Sequence, residues 1–456
     1  MDAVTLEELA AMCGGRPPEI SPRTMVRRVS KDTRTLVPGD VYFALCGEAH
    51  DGNLFAAEAA RRGAAAAVLE RIPSDLPPDF PVVKVDDGLV ALRRLASSWR
   101  DRLSLHVVGV TGSNGKTSTK EFAAAVLGAR FRTIKTEGNL NNHIGVPLSI
   151  LSASVKDEAA VWEAGMNHPG EIAPLAALAR PEIGIITNIG VAHIEHLGSR
   201  EAIAKEKGAL LEALPPDGTA VIPAVDDFAD FLASRTRATV WRVGGPDSRV
   251  RAESVEVEGD GTRFVLIADG ERLKCRLAVP GAHMVGNALL AVAAGMALGI
   301  SAGECVEGLI QARGVAGRLA CREIGGVRFL DDTYNANPDS MVAALAVLRD
   351  LPAGGKRHAV LGAMGELGNH TDEGLRRVGT AAAACADTLI CVGPATRPMA
   401  EAARAAGMAG VSEAEDTTTA AALLEKHIAK GDTVLVKGSR SARTERIIEH
   451  FQCSTT

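Results

Sequence analysis

Between residues 106 and 223, short apolar runs rich in β-branched residues alternate with helix-competent stretches. The runs 106–111, 158–166, 183–189 and 219–223 are too short for helices and read as buried strands. This rhythm predicts a mostly parallel sheet flanked by helices, with ligands at the carboxyl ends of the strands. From 238 to 280 the period shortens to two, with Gly/Asp turns at 259–261 and 269–270, which predicts antiparallel strands decorating the same domain. The alanine-rich run 291–298 is too short to span a membrane and reads as part of a buried helix that starts after Pro280.

Two further α/β patterns flank this region. Before it, a turn at 37–40, a strand at 41–45, a helix over 55–63 and strands at 64–69 and 81–85 form a small unit, joined onward by 99–105. That unit is either a structural appendage or a cap that holds part of a substrate. In it, the hydroxyl of Ser30 and the planar cation of Arg34 suit a phosphate or a uracil edge. After residue 318 come strand-then-polar-loop units at 328–338, 358–368, 388–393 and 433–440. These predict a Rossmann-like domain, but without the G-x-G-x-x-G fingerprint of dinucleotide binding. The expected fold is therefore α/β in three domains: a cap over 1–102, a central parallel-sheet domain over 103–317, and a Rossmann-like domain over 318–456.

Composition narrows the class. A length of 456 residues suits about three domains, and 46% hydrophobic with 23% charged residues is ordinary for a globular protein. The net charge of −6 and the 3% aromatic content argue against a nucleic-acid partner. The acidic N-terminus has no signal-peptide pattern and no run reaches the length of a membrane span. Eight scattered cysteines without CxxC spacing suggest neither a disulfide framework nor a zinc site. Cytoplasmic localisation and a monomeric state are expected.

The chemistry centres on Thr111-Gly112-Ser113-Asn114-Gly115-Lys116-Thr117-Ser118, between the first strand of the central pattern and a helix. Such a loop aims backbone N–H groups and a helix dipole at a phosphate. Lys116 would reach the outer phosphates and the Thr117 hydroxyl would sit on Mg²⁺. The strict motif has Gly where Val110 stands, so this is a variant P-loop. A carboxylate at a neighbouring strand end, Glu163, is where another Mg²⁺ anchor is expected. His193 follows the next strand end. Asn139, Asn141 and Asn142 are either turn chemistry or a bed of amides for a polar ligand. Lys205 and Lys207 lie on one helix, and composition alone makes them a solvated face.

Taken together, these residues resemble the Mur ligase family, and within it the type that adds D-alanyl-D-alanine to a UDP-N-acetylmuramoyl-tripeptide. The P-loop matches in order, as do Asn139 to Asn142 with Gly145-Val146-Pro147, the stretch Asp332-Thr333-Tyr334-Asn335-Ala336-Asn337-Pro338, and Lys437-Gly438-Ser439-Arg440. The resemblance implies ATP and two Mg²⁺ ions as cofactors. Gly112 to Ser118, Asn287, Arg318 and Asp332 would hold the nucleotide. Thr117, Glu163, His193 and a carbamate on Lys207 (Lys205 being the runner-up) would hold metal. Ser30, Arg34, Asn139, Asn141, Asn142, Asn335, Asn337, Lys437, Ser439 and Arg440 would contact the two substrates, with Lys116, Lys207, His193 and Arg318 catalytic.

Two departures stand out: Ala316 precedes Gly317-Arg318 where proline is common, and Ala363 stands where the family commonly has aspartate. The implied activity is ATP-dependent amide ligation through an acyl phosphate, in cytoplasmic peptidoglycan precursor synthesis. The rival readings are a ligase that adds the third amino acid of the peptide, and a nucleotide switch that ligates nothing.

Overall fold

In the computed structural model, which describes residues 1–47, 50–352 and 354–454, the P-loop strand forms over His106–Thr111. Contacts within the chain group into two compact units. The first holds residues 1–109, 131–166 and 171–182; the second holds 110–130, 167–170 and 183–456.

In the first unit, Val29–Ser30, Val41–Phe43, Ala66–Leu69 and Val82–Lys84 form a four-stranded parallel sheet. The helix Gly88–Arg100 follows, its first turn capped by Asp87, whose carboxylate accepts from Val90 N at 2.8 Å. It buries Leu92, Leu95, Ala96 and Trp99, one helical face. The expected linker at 99–105 therefore starts later, because Trp99 completes that face and its indole donates to Ala153 O at 2.9 Å. Thr133–Lys135 and Ala159–Glu163 pair in parallel, and His106 N donates to Glu158 O.

In the second unit, Ile183–Ile186, Thr219–Pro223 and Thr239–Val243 are parallel neighbours, and Thr187 N donates to Thr111 O. The last of these strands departs from the antiparallel expectation for 238–280. It is an edge strand of a parallel set, partly exposed on one face, and such strands alternate in sequence just as hairpin strands do. The antiparallel expectation holds for Val250–Glu258, Gly261–Ala268 and Glu271–Leu277.

The helices Lys116–Gly128 and Ala282–Ala297 pack closely because Gly295 has no Cβ to strike Val126. Beyond residue 319, six strands run in the order Ala320–Ile324, Val327–Asp332, Thr433–Lys437, Arg357–Gly362, Thr388–Val392 and Gly410–Ala414. All but the first are parallel, over a core that includes Phe329, Val360, Val434 and Ile447. Asp332 and Lys437 are paired in register, so both fall at the carboxyl end of this sheet. No described helix is long and apolar enough to cross a membrane.

Candidate active site

The P-loop owes its shape to two glycines. Gly112 has φ +152, and any Cβ there would strike the Thr187 side chain. Gly115 has φ +78, caps the helix Lys116–Gly128, and a Cβ would come within 2.6 Å of Asn287 Oδ1. Asn287 thus lies directly against the loop. The Lys116 ammonium donates to the loop carbonyls of Gly112 at 2.8 Å and Ser113 at 3.3 Å. The loop is braced from the end of the strand Ile183–Ile186: Asn188 O accepts from Ser113 N and Asn188 Oδ1 from Asn114 N at 2.9 Å, while Ser113 Oγ accepts from Gly190 N at 2.9 Å. Ser118 is buried in the first helical turn. An anion between the loop and this helix N-terminus would meet backbone donors and the Lys116 ammonium.

Several other sequence-predicted residues cluster in the same unit. Lys207 is fully buried in the helix Arg200–Glu212, and its Nζ has no hydrogen-bond partner. Burial, with repulsion from Lys116 adding to it, pushes its pKa well below the usual lysine range. Lys205, two residues earlier, is exposed. His193 sits at φ +64 ahead of the short helix Ile194–Leu197, and its Nδ1 lies against the carboxylate of Glu366. The Arg318 guanidinium donates to Thr117 Oγ1 at 3.3 Å and stacks 4.1 Å from the Tyr334 ring centre.

The carboxyl-end loops of the last sheet converge on one another. Lys437 Nζ donates to Asp332 Oδ2 at 2.6 Å and to Asn335 O at 2.9 Å. Burial lowers the Lys437 pKa, and Asp332 opposes the shift. Asn337 caps the helix Pro338–Asp350 and also donates from Nδ2 to Asn114 Oδ1 at 2.7 Å, tying this loop to the P-loop. Ser439 is buried, its N–H donating to Ala363 O and its hydroxyl 3.0 Å from Ser441 Oγ. Arg440 is largely exposed beside Glu445.

The remaining candidates belong to the first unit. Glu163 is buried at its strand end, and its Oε1 accepts from Asn141 Nδ2 at 2.8 Å. Asn142 Oδ1 accepts from Gly145 N at 2.8 Å, which is turn chemistry at the start of the helix Gly145–Ser152, and Asn139 is exposed. Ser30 is buried, its hydroxyl donating to Asp32 O at 3.0 Å. Arg34 is exposed and clasps Asp32, whose pKa falls to about 2 because the Arg34 guanidinium and backbone N–H both donate to it.

Sequence reasoning missed Asp32, Asn188, Asp339 and Glu366. Asn188 carried a signal, since an amide two residues past a buried strand end can brace a neighbouring loop. Glu366 and Asp339 carried none, because their contacts with His193 and Val191 span more than a hundred residues.

Residues 110–295 match the Mur ligase middle domain and residues 317–440 the Mur ligase glutamate ligase domain. The chain is 37% identical over 461 aligned positions to a UDP-N-acetylmuramoyl-tripeptide–D-alanyl-D-alanine ligase of Escherichia coli K12, with 99% of each chain covered. Its structure is similar to that of MurF from Acinetobacter baumannii (TM-score 0.89, 32% identity, 99% of each chain). It is also similar to MurF from Thermotoga maritima in complex with ADP (TM-score 0.82, 29% identity, 94% of this chain and 98% of that one). The chain belongs to the Mur ligase family, with that family's three-domain α/β fold, and within it to the MurF type.

Proposed function

We propose that this chain is an ATP-dependent ligase that joins D-alanyl-D-alanine to a UDP-N-acetylmuramoyl-tripeptide in peptidoglycan precursor synthesis. The relatives' names and the convergence of Lys116, Lys207, Arg318 and Asn337 around one braced P-loop support it. The last of these observations carries the most weight. A P-loop touched by side chains from residues 318 and 337 is built for a reaction that occurs only when separate parts of the chain meet.

A peptide carboxylate resists attack by an amine because oxide would have to leave. Transfer of the ATP γ-phosphoryl group makes an acyl phosphate; the D-alanyl-D-alanine amine then attacks its carbonyl and phosphate departs. Such chemistry needs positioning and charge neutralisation more than covalent help. Lys116 would leave its loop carbonyls to bind the outer phosphates, with Arg318 beside it. The Gly112 to Ser118 loop and Asn287 would seat the rest of the nucleotide.

The residues fit divalent metal under one condition. Among the described residues, no group of three or more His, Cys, Asp or Glu side chains is arranged to hold a metal ion. Within the second unit, oxygen donors would therefore come from Thr117, nucleotide phosphates and a modified Lys207. A buried, unpartnered amine whose charged form is disfavoured by burial is suited to add CO₂ and become a carbamate, an oxygen ligand of the kind Mg²⁺ prefers. His193 would complete the donors for a second Mg²⁺. When bound, the two ions would neutralise charge on the transferring phosphoryl group.

In the same reading, residues 1–102 hold the UDP end through Ser30 and Arg34, 103–317 bind ATP, and 318–456 bring Asp332, Asn335, Lys437, Ser439 and Arg440 to the nucleotide and the dipeptide. Asn139, Asn141 and Asn142 face the tripeptide substrate. The enzyme acts as a cytoplasmic monomer.

The test is phosphate release from ATP and Mg²⁺ with UDP-N-acetylmuramoyl-tripeptide, with and without D-alanyl-D-alanine. Release should require both substrates and yield the pentapeptide by mass, and Lys116→Ala should abolish it. Release with a free amino acid in place of the dipeptide would overturn the substrate assignment. ATP binding with no turnover for any amine would overturn the ligase.

A further inference from the structure

We propose that Glu366 is a positioning residue for His193: from the loop after the strand Arg357–Gly362 it holds Nδ1 and leaves Nε2 as the nitrogen that faces a divalent cation. This inference rests on the reading of His193 as a metal ligand.

The Glu366 carboxylate and His193 Nδ1 form a close ion-pair contact, without the alignment of a hydrogen bond, between two residues both held at positive φ, 61° and 64°. Left-handed backbone at a glutamate and a histidine is costly and persists only where neighbouring contacts enforce it. Here they do. Glu195 N donates to Glu366 O at 3.3 Å, and Gly368 packs so close to Glu195 that a Cβ would lie 3.1 Å from its Cγ. Farther along, Val191 N donates to Asp339 Oδ2 at 3.2 Å, so the segment bearing His193 is gripped on both sides by residues that follow position 318. Glu366 is also the only ionisable side chain between residues 362 and 368.

A neutral imidazole carries one proton, on whichever nitrogen has the better acceptor. A carboxylate lying against Nδ1 favours the tautomer with the proton on that side, which leaves the lone pair on Nε2, and a ring flip would lose the contact. Losing such a partner typically weakens metal binding about 10- to 100-fold. Because Glu366 and His193 are 173 positions apart, in loops that follow strands of different sheets, His193 acquires its metal-binding geometry only when the loop at 362–368 is docked. The residue thereby couples docking to metal binding without touching metal or substrate.

The experiment uses the full chain and three variants: Glu366→Ala, Glu366→Gln and His193→Ala. Mn²⁺ binding in the presence of ADP is followed by electron paramagnetic resonance. The His193 tautomer is read by ¹⁵N resonances of histidine-labelled protein, assigned by their loss in His193→Ala. Glu366→Ala should bind Mn²⁺ about 10- to 100-fold more weakly and lose the pure Nδ1–H tautomer. Glu366→Gln, which keeps an acceptor oxygen, should lose less. The KM for Mg²⁺ should rise while kcat at saturating metal changes little. Wild-type Mn²⁺ affinity and tautomer in Glu366→Ala, with binding lost in His193→Ala, would overturn the positioning role and leave the metal reading intact. Wild-type affinity in His193→Ala would overturn both.

Discussion

Lys207 shows how far a single side chain can be read. In the sequence it is one of two lysines on a polar-looking helix. In the structure its amine is enclosed without a partner while Lys205 reaches solvent. Folding lowers its pKa, so the amine is harder to protonate in the folded chain than in the unfolded one. That penalty is greatest at low pH and disappears as pH rises past about 10.4, the ordinary lysine value. Lys207→Met should therefore raise the melting temperature at neutral pH in bicarbonate-free buffer. The gap in melting temperature should narrow as pH rises from about 7 to about 10, while ligase activity is lost. A gap that widens with pH would show that the amine is charged in the folded protein.

At the scale of elements, the helix Pro338–Asp350 does two things with one cap. Asn337 accepts from Ser340 N at 2.9 Å through Oδ1, and its Nδ2 donates to the P-loop at Asn114. The two functions separate by substitution. Asn337→Ala should cost about 1 kcal/mol of stability and raise the KM for ATP. Asn337→Asp keeps the capping oxygen and loses the donor, so it should melt near the wild type yet share the raised KM. Equal KM values in Asn337→Asp and wild type would mean the link to Asn114 has no bearing on nucleotide binding. The buried Lys437–Asp332 pair follows another logic: Asp332→Ala strands an ammonium in the interior and should cost about 3–5 kcal/mol.

For the whole molecule, the braces between the P-loop, the loop at 188–195 and the loop at 335–339 imply shared fate. Because Asn188 bonds to Ser113 and Asn114, Asp339 to Val191, and Asn337 to Asn114, ordering one should order all. ADP should slow amide hydrogen exchange in all three segments together. Protection confined to 112–118 would mean that they respond independently. This network also explains why the site was only partly legible. The P-loop, the strands that end in it and the Asn-rich loop declare themselves locally, because glycine spacing and β-branched runs reflect backbone demands. Asn188, Asp339 and Glu366 do not, since their partners are brought near only by the crossing of strands.

By itself, then, the sequence determined the α/β class, the P-loop chemistry and, by its ordered motifs, the family, because each depends on residues adjacent in the chain. It also located Lys116 and Thr117 at a helix start, the place on which their proposed roles depend. The tertiary structure alone decided which lysine of 205 and 207 is enclosed, that Arg34 is clasped by Asp32, that 239–243 joins the parallel strands, and that His193 meets Glu366. Burial and long-range pairing depend on what the rest of the chain places around a residue, and no local pattern carries that information.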